Sequence, residues 1–188
     1  MTLGTLTWVR ALDRPDLLAV STLAAIEAWA ATDPTVPEAV LVTEIDPDLA
    51  DTAAMTQAYD VPLAVSANCV LVAGRRAGDE RVAAAVVRAT TRADVNNAVK
   101  RLLDVRKASF LPMDRATAES GMEYGGITPL GLPEAYRVLV DTRVAAEDDD
   151  AGRFVVIGSG VRGSKIALPG ALLGSAPGVE VVDGLALG

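Results

Sequence analysis

The C-terminal third of the chain limits its fold most. Four short runs rich in β-branched residues, YRVLVD (136–141), RFVVIGS (153–159), SKIAL (164–168) and VEVVD (179–183), follow one another with little between them but Gly, Pro and charged turn residues. Each has the length of a strand, and none leads into a long stretch of helical period. AAEDDDAG (145–152) reads as an acidic surface turn between two of them. Within VVIGSGVRGSKI, Gly158, Gly160 and Gly163 outline a dinucleotide-binding fingerprint, with Asp183 in the place of its acidic residue. That fingerprint needs a helix whose N-terminus faces the pyrophosphate. After Gly163, Pro169, Gly170, Gly174 and Pro177 leave room for one or two helical turns at most, so these glycines are read as serving a different backbone chemistry.

Upstream, helices and strands are mixed. PDLLAVSTLAAIEAWAA (15–31) predicts a helix opened by Pro15, and AVLVTEI (39–45) a strand. Asp46-Pro47 supplies an N-cap and a first helical residue for a helix to about Tyr59. CVLVAGRRAGDERVAAAVV (69–87) predicts a hairpin with a longer loop at Arg76–Glu80. Asp94 is placed to cap DVNNAVKRLLDV (94–105), in which Val95, Ala98, Val99, Leu102 and Leu103 form an apolar stripe. A short helix from Asp114 to Gly121 follows. The sum is one α/β domain: a mixed, mostly antiparallel, partly barrel-like β-sheet with surrounding helices. A chain of 188 residues suffices for its core.

Composition narrows the chemistry. With no histidine, any Ser–His, Cys–His or His–metal mechanism within this chain is excluded. Cys69 is the single cysteine, so there is no internal disulfide and no Cys cluster for zinc. No metal and no cofactor is expected. No apolar run reaches the roughly 18 residues of a membrane span, and no signal peptide is evident, so no membrane association and a cytoplasmic location are expected. The net charge of −8 argues against generic DNA binding. Yet residues 75–107 are locally basic, with Arg75, Arg76, Arg106, Lys107 and five further cations against four acids. That segment is either a solvated mixed-charge face or an electropositive surface for an RNA end.

MEYGGITPLGLP (122–133) is the second glycine-rich stretch. Gly125 and Gly126 carry no side chain to shield their peptide groups, so such a loop can present N–H and C=O to a ligand. GGITPLGL, followed by VLVD and then VVIGSGVRGSKI, resembles the YbaK/ProX-type aminoacyl-tRNA editing deacylases, which include the prolyl-tRNA synthetase-associated editing domain. IDPDLADTAAMTQAYDVPLAVSANCVLV and TTRADVNNAVKRLLDVRKASF are similar to the opening and middle of that domain. The resemblance covers residues 36–188 and leaves 1–35 as an N-terminal helical extension packed on the domain. It implies a cleft for the 3′ end of a mischarged tRNA, in a free-standing protein that clears the wrong amino acid and could associate with an aminoacyl-tRNA synthetase. By carry-over, Gly125, Gly126, Ile127, Thr128 and Pro129 form the loop that positions the ester. Ser159 and Gly160 form the facing wall. The attacking group is a water or a nucleophile of the substrate itself, its 2′-hydroxyl or a thiol.

One departure matters. Asn68 stands where many members of that family have a lysine, and it supplies no charge. Either turnover is weak or absent, or another cation takes over: Lys165 first, Arg162 second. The alternative for Lys165 is an ordinary edge-strand lysine. Cys69 is read as a small hydrophobe rather than a nucleophile, Asp141 as a turn cap rather than a catalytic carboxylate, and Trp8 and Trp29 as packing anchors. A non-catalytic tRNA- or synthetase-binding module with the same fold is the rival reading.

Overall fold

The computed structural model describes residues 2–146 and 153–188. The greater part of the expected acidic turn, 147–152, lies outside the described residues. Eight strands carry the fold: β1 (Leu41–Glu44), β2 (Ala67–Arg76), β3 (Asp79–Arg88), β4 (Ala108–Phe110), β5 (Arg137–Asp141), β6 (Phe154–Gly158), β7 (Ser164–Pro169) and β8 (Val179–Val182). They form a four-stranded sheet, β6-β7-β1 with Val9–Arg10 at its edge, and a five-stranded sheet, β8-β5-β3-β2-β4. Only β3–β5 and β5–β8 pair in parallel. The central β3 reads VAAAVVR and is buried along its last seven residues, because both of its faces are covered.

The two sheets do not close into a barrel. β4 pairs with β2 only at Val72–Gly74, and Ser66, just before β2, forms a parallel bridge with Val156 in β6. Between these two attachments the flank of β2 at Asn68–Val70 is left open, and this split positions the site.

Three helices of eight or more residues are described: α1 (Val20–Ala30), α2 (Thr52–Tyr59) and α3 (Met113–Ser120). Three local expectations are corrected. The helix over 15–31 begins only at Val20: Pro15–Leu17 is a separate 3-10 turn, and Leu18 and Ala19 are extended. The amide of Ala19 donates to the Ser159 carbonyl at 3.1 Å, tying this segment to the glycine bend instead of to a helix. The hairpin loop is two residues, not five. Arg76 pairs directly with Asp79, and Ala77 and Gly78 take positive φ of 53° and 98°, as a tight hairpin turn requires. Asp46 caps only the 3-10 turn Pro47–Leu49, and Asp51 caps α2 through the Ala53 amide at 3.0 Å.

Asp94 caps as expected, accepting from the Asn97 amide at 3.1 Å, although the first turn, Val95–Val99, is π-helical. The largest apolar cluster includes Leu17, Ile26 and Trp29 from the N-terminal segment together with Val42, Ile157 and Ile166 from the sheet. Trp8 packs, partly buried, on a second cluster around Met55 and Ile45. Asp141, 1% exposed, fastens the C-terminus. It accepts from Arg143 Nε at 2.8 Å and from the Ala186 amide at 2.9 Å. Burial pushes its carboxyl up, but the hydrogen bonds from Arg143 and from the Arg143 and Ala186 amides outweigh that and hold it below the usual carboxylate range.

Candidate active site

The two glycine bends lie side by side. The Gly160 amide donates to the Gly126 carbonyl at 2.7 Å, and the Glu123 amide donates to the Gly160 carbonyl at 2.9 Å. A Cβ on Gly126 would lie 2.5 Å from the Val161 carbonyl oxygen, and one on Gly158 would lie 2.3 Å from the Gly126 oxygen. Backbone packs on backbone here, which only glycine permits. The G-x-G-x-x-G outline is thereby explained without a nucleotide. After Gly163 the chain enters β7, antiparallel to β6, so the bend does not lead into the helix that the fingerprint requires.

Beside the paired bends, in the split between the sheets, lies a cleft of about 560 Å³. Its walls come from residues 50–55 at the start of α2, residues 66–70, Gly125 and Ile127 of the loop, and Val156–Gly158 with Lys165 of β6 and β7. Lys165 is not an edge-strand residue. β7 is paired on both sides, and Lys165 stands opposite Gly158 and Thr43, only 6% exposed. Its Nζ donates to the Ala50 carbonyl at 2.9 Å and to the Gly125 carbonyl at 3.2 Å. An ammonium has three N–H groups, so one is left for the cleft. Burial, with the charge of Arg162 adding to it, pushes this ammonium down to about 8, against an opposing pull from Asp51. It remains charged at neutral pH.

Across the cleft, Asn68 accepts the Thr52 hydroxyl on Oδ1 at 2.9 Å, which leaves its amide nitrogen for a ligand. In the loop, the Gly126 amide is spent on the Glu123 carbonyl at 2.9 Å and the Thr128 amide on the Met122 sulfur at 3.4 Å. The amides of Gly125 and Ile127 have no protein acceptor among the described residues. The loop thus has two unspent amides, on residues that line the cleft.

The remaining expected site residues stand elsewhere. Thr128 and Pro129 are buried behind the loop. Ser159 is fully buried, its Oγ 2.6 Å from that of Ser164, which donates to the Leu17 carbonyl. Gly160 packs against Ala19. Arg162 clasps the loop from outside, its amide donating to Glu123 and its Nη1 to the Tyr124 carbonyl at 3.1 Å. Sequence reasoning missed Ala50, Thr52 and Ser66. Asp51-Thr52 was a readable N-cap signal, whereas the side-chain oxygen of Ser66, buried without a partner, has no sequence signature.

Cys69 lines the cleft, but burial pushes its thiol up to about 12, so it carries no thiolate at neutral pH. Among the described residues no group of three or more Cys, Asp or Glu is placed to hold a metal ion, and no helix is long and apolar enough to cross a membrane.

An open, two-sheet α/β domain with a backbone-lined cleft that holds the buried Lys165 is the class these features define. Its fold is shared with solved structures. Hypothetical protein APE2540 superposes with a TM-score of 0.70 at 18% identity, over 87% of this chain and 99% of that one. A candidate trans-editing enzyme for prolyl tRNA synthetase gives 0.68 at 16% identity, over 91% and 99%. A scaffold protein used for epitope backbone grafting gives 0.67 at 18% identity over the same shares. No curated protein matches significantly. The family model of the aminoacyl-tRNA editing domain matches residues 46–174, and the chain belongs to that family.

Proposed function

We propose that this chain is a trans-acting deacylase that hydrolyses the ester between a wrong amino acid and the terminal adenosine of tRNA. The observation that carries this reading is a cleft lined by three residues with unspent donors, the amides of Gly125 and Ile127 and the third N–H of the Lys165 ammonium. The ester carbonyl oxygen faces these donors. A water adds to the carbonyl carbon and yields the free amino acid, or a thiol of the aminoacyl group itself adds and yields a cyclic thioester. Negative charge then develops on the carbonyl oxygen, the bond to the ribose oxygen breaks, and that oxygen takes up the proton. An aminoacyl ester is already activated, so orientation and oxyanion stabilisation replace a histidine base. One such donor contributes about 3–4 kcal/mol, and orientation contributes several more.

Lys165 takes the part expected of a cation in the absence of one at Asn68, while Asn68 holds the ribose through its amide. Arg162 supports the loop from outside. The test is turnover on a panel of mischarged tRNAs. Release above the buffer rate from at least one supports the reading, and none from any of them rejects it. The rival, a binding module without turnover, rests on the uncharged Asn68. Tight tRNA binding with no release, unchanged by Asn68→Lys, would favour it.

A further inference from the structure

β4 ends the five-stranded sheet and is paired on one side only, with β2. The Leu111 amide donates to the Leu71 carbonyl at 2.8 Å, which fixes the alternation along the edge. Ser109 and Leu111 turn their backbone groups toward β2, and Ala108 and Phe110 turn theirs outward. Those outward N–H and C=O groups have no hydrogen-bond partner among the described residues. A free edge of this kind is a template for another strand.

The two faces beside the edge differ in chemistry. Phe110 stands opposite Val72 and shares its face with Val70. On that face a hollow of about 460 Å³ is floored by Val70, Val87 and Val95, and Phe110 at its rim is 62% exposed. An exposed aromatic next to an apolar hollow marks a contact surface. The other face carries Ser109, and a hollow of about 370 Å³ there is lined by Arg75, Arg106, Lys107 and Arg115. Arg115 is neutralised by Glu80 and Glu119, at 2.7 Å each, and Arg75 faces Glu80 at 3.9 Å. Arg106 and Lys107 are exposed and have no ion-pair partner among the described residues. One edge thus borders an apolar face and a cationic face.

An added strand meets both faces at once, because its successive side chains point to opposite sides. Every second residue falls beside Phe110, and the residues between fall on the side of Arg106 and Lys107. A single-stranded nucleic acid has no such alternation. A second copy of this chain would bring its own Arg106 and Lys107 to the same short interface, and like charges there repel. We infer that β4 is a docking edge for an extended segment of another protein in which apolar and acidic residues alternate, added antiparallel as a further strand. Neither Lys165 nor the glycine loop takes part, so the inference stands apart from the deacylase reading.

The probe is a fluorescein-labelled octapeptide alternating valine and glutamate, beside one alternating valine and lysine. At low salt the native chain should bind the glutamate peptide about tenfold more tightly, and roughly 0.5 M salt should remove most of that preference. Arg106→Glu with Lys107→Glu should reverse it. Phe110→Ala should weaken binding of the glutamate peptide about tenfold. Its side chain is exposed, so the variant folds, and an unchanged melting temperature checks this. N-methylation of the valines, which stand opposite Ala108 and Phe110, should abolish binding, whereas N-methylation of the glutamates should change it by less than about threefold. Equal binding of the two peptides, or tolerance of N-methylated valines, would overturn the inference. So would a dimer that Phe110→Ala splits in sedimentation, or a single-stranded RNA that displaces the peptide and itself depends on Phe110, since each names a different occupant. Peptide binding as described supports the docking edge whether or not an ester is cleaved, and its failure alongside intact deacylation leaves the proposed function standing.

Discussion

Replacing Lys165 by Met removes the cleft's cation while keeping most of its volume, and the structure predicts opposite consequences for stability and activity. In the fold the ammonium is pushed from 10.5 to about 8. At about 1.4 kcal/mol per unit, the charged form costs the folded state roughly 3 kcal/mol at neutral pH. Methionine relieves that cost. It also leaves the Ala50 and Gly125 carbonyls without their donor, at about 1–3 kcal/mol for each that water cannot reach, and Gly125 is exposed. The stability of Lys165→Met should therefore stay within about 2 kcal/mol of the native chain. Turnover should fall by about 10²–10³, the loss of one oxyanion donor.

The pH dependence has a determinate sign. Between about 8 and 10.5 the unfolded chain still holds the proton that the folded chain has released. Stability from this group therefore rises with pH across that window. Turnover that needs the ammonium falls from about 8 upward. Urea unfolding and single-turnover deacylation, both run from pH 6.5 to 9.5 and corrected for spontaneous ester hydrolysis, read the two limbs. A variant that keeps turnover within about threefold of native would refute the catalytic cation. One that unfolds while each folded molecule stays fully active would make Lys165 a strut.

Three further substitutions bear on the same account. Gly126→Val drives a side chain into the Val161 backbone, 2.5 Å from where its Cβ would sit. Deacylation should fall to background, while circular dichroism retains the sheet signal. Cys69→Ala should change turnover by less than about twofold and stability by about 1 kcal/mol, because the thiol stays protonated far above neutral pH. A large rate loss there would reassign the chemistry to sulfur. Asp141→Asn should cost about 2–3 kcal/mol in urea unfolding at pH 7 by weakening hydrogen bonds to a charged group. Because the native carboxyl titrates below the usual range, its contribution is present at neutral pH and disappears as the pH falls through that range. The variant's stability should therefore be flatter in acid.

The strands were the most legible part of the fold, since each β-branched run between glycines and prolines has one length and one outcome. The hairpin loop was misjudged because Ala77 in a left-handed conformation has no sequence signal; only Gly78 did. The 15–31 helix was drawn too long because its periodicity says nothing of Ser159, more than a hundred residues away, which claims the Ala19 amide. At the site, the glycine pairs were readable as places of close backbone approach, but not that Gly126 would be packed away while the amides of Gly125 and Ile127 stayed without a protein acceptor. Lys165 was recognisable as a candidate only because Asn68 left a charge unsupplied. That it sits on an interior strand follows from the pairing of β7 with β1, across some 120 residues of sequence. Ser159 and Pro129 look like loop chemistry in the sequence and are core packing in the fold.

The central claim is that the Gly125 and Ile127 amides grip the acyl group, and amide NMR reads them directly. The chain labelled with ¹⁵N is titrated with 3′-aminoacylamino-adenosine, in which an amide replaces the labile ester. The account predicts saturable downfield shifts of the Gly125 and Ile127 N–H signals, with those of Gly126 and Gly160, already bonded within the protein, moving far less. Saturable binding that leaves Gly125 and Ile127 unmoved would contradict it.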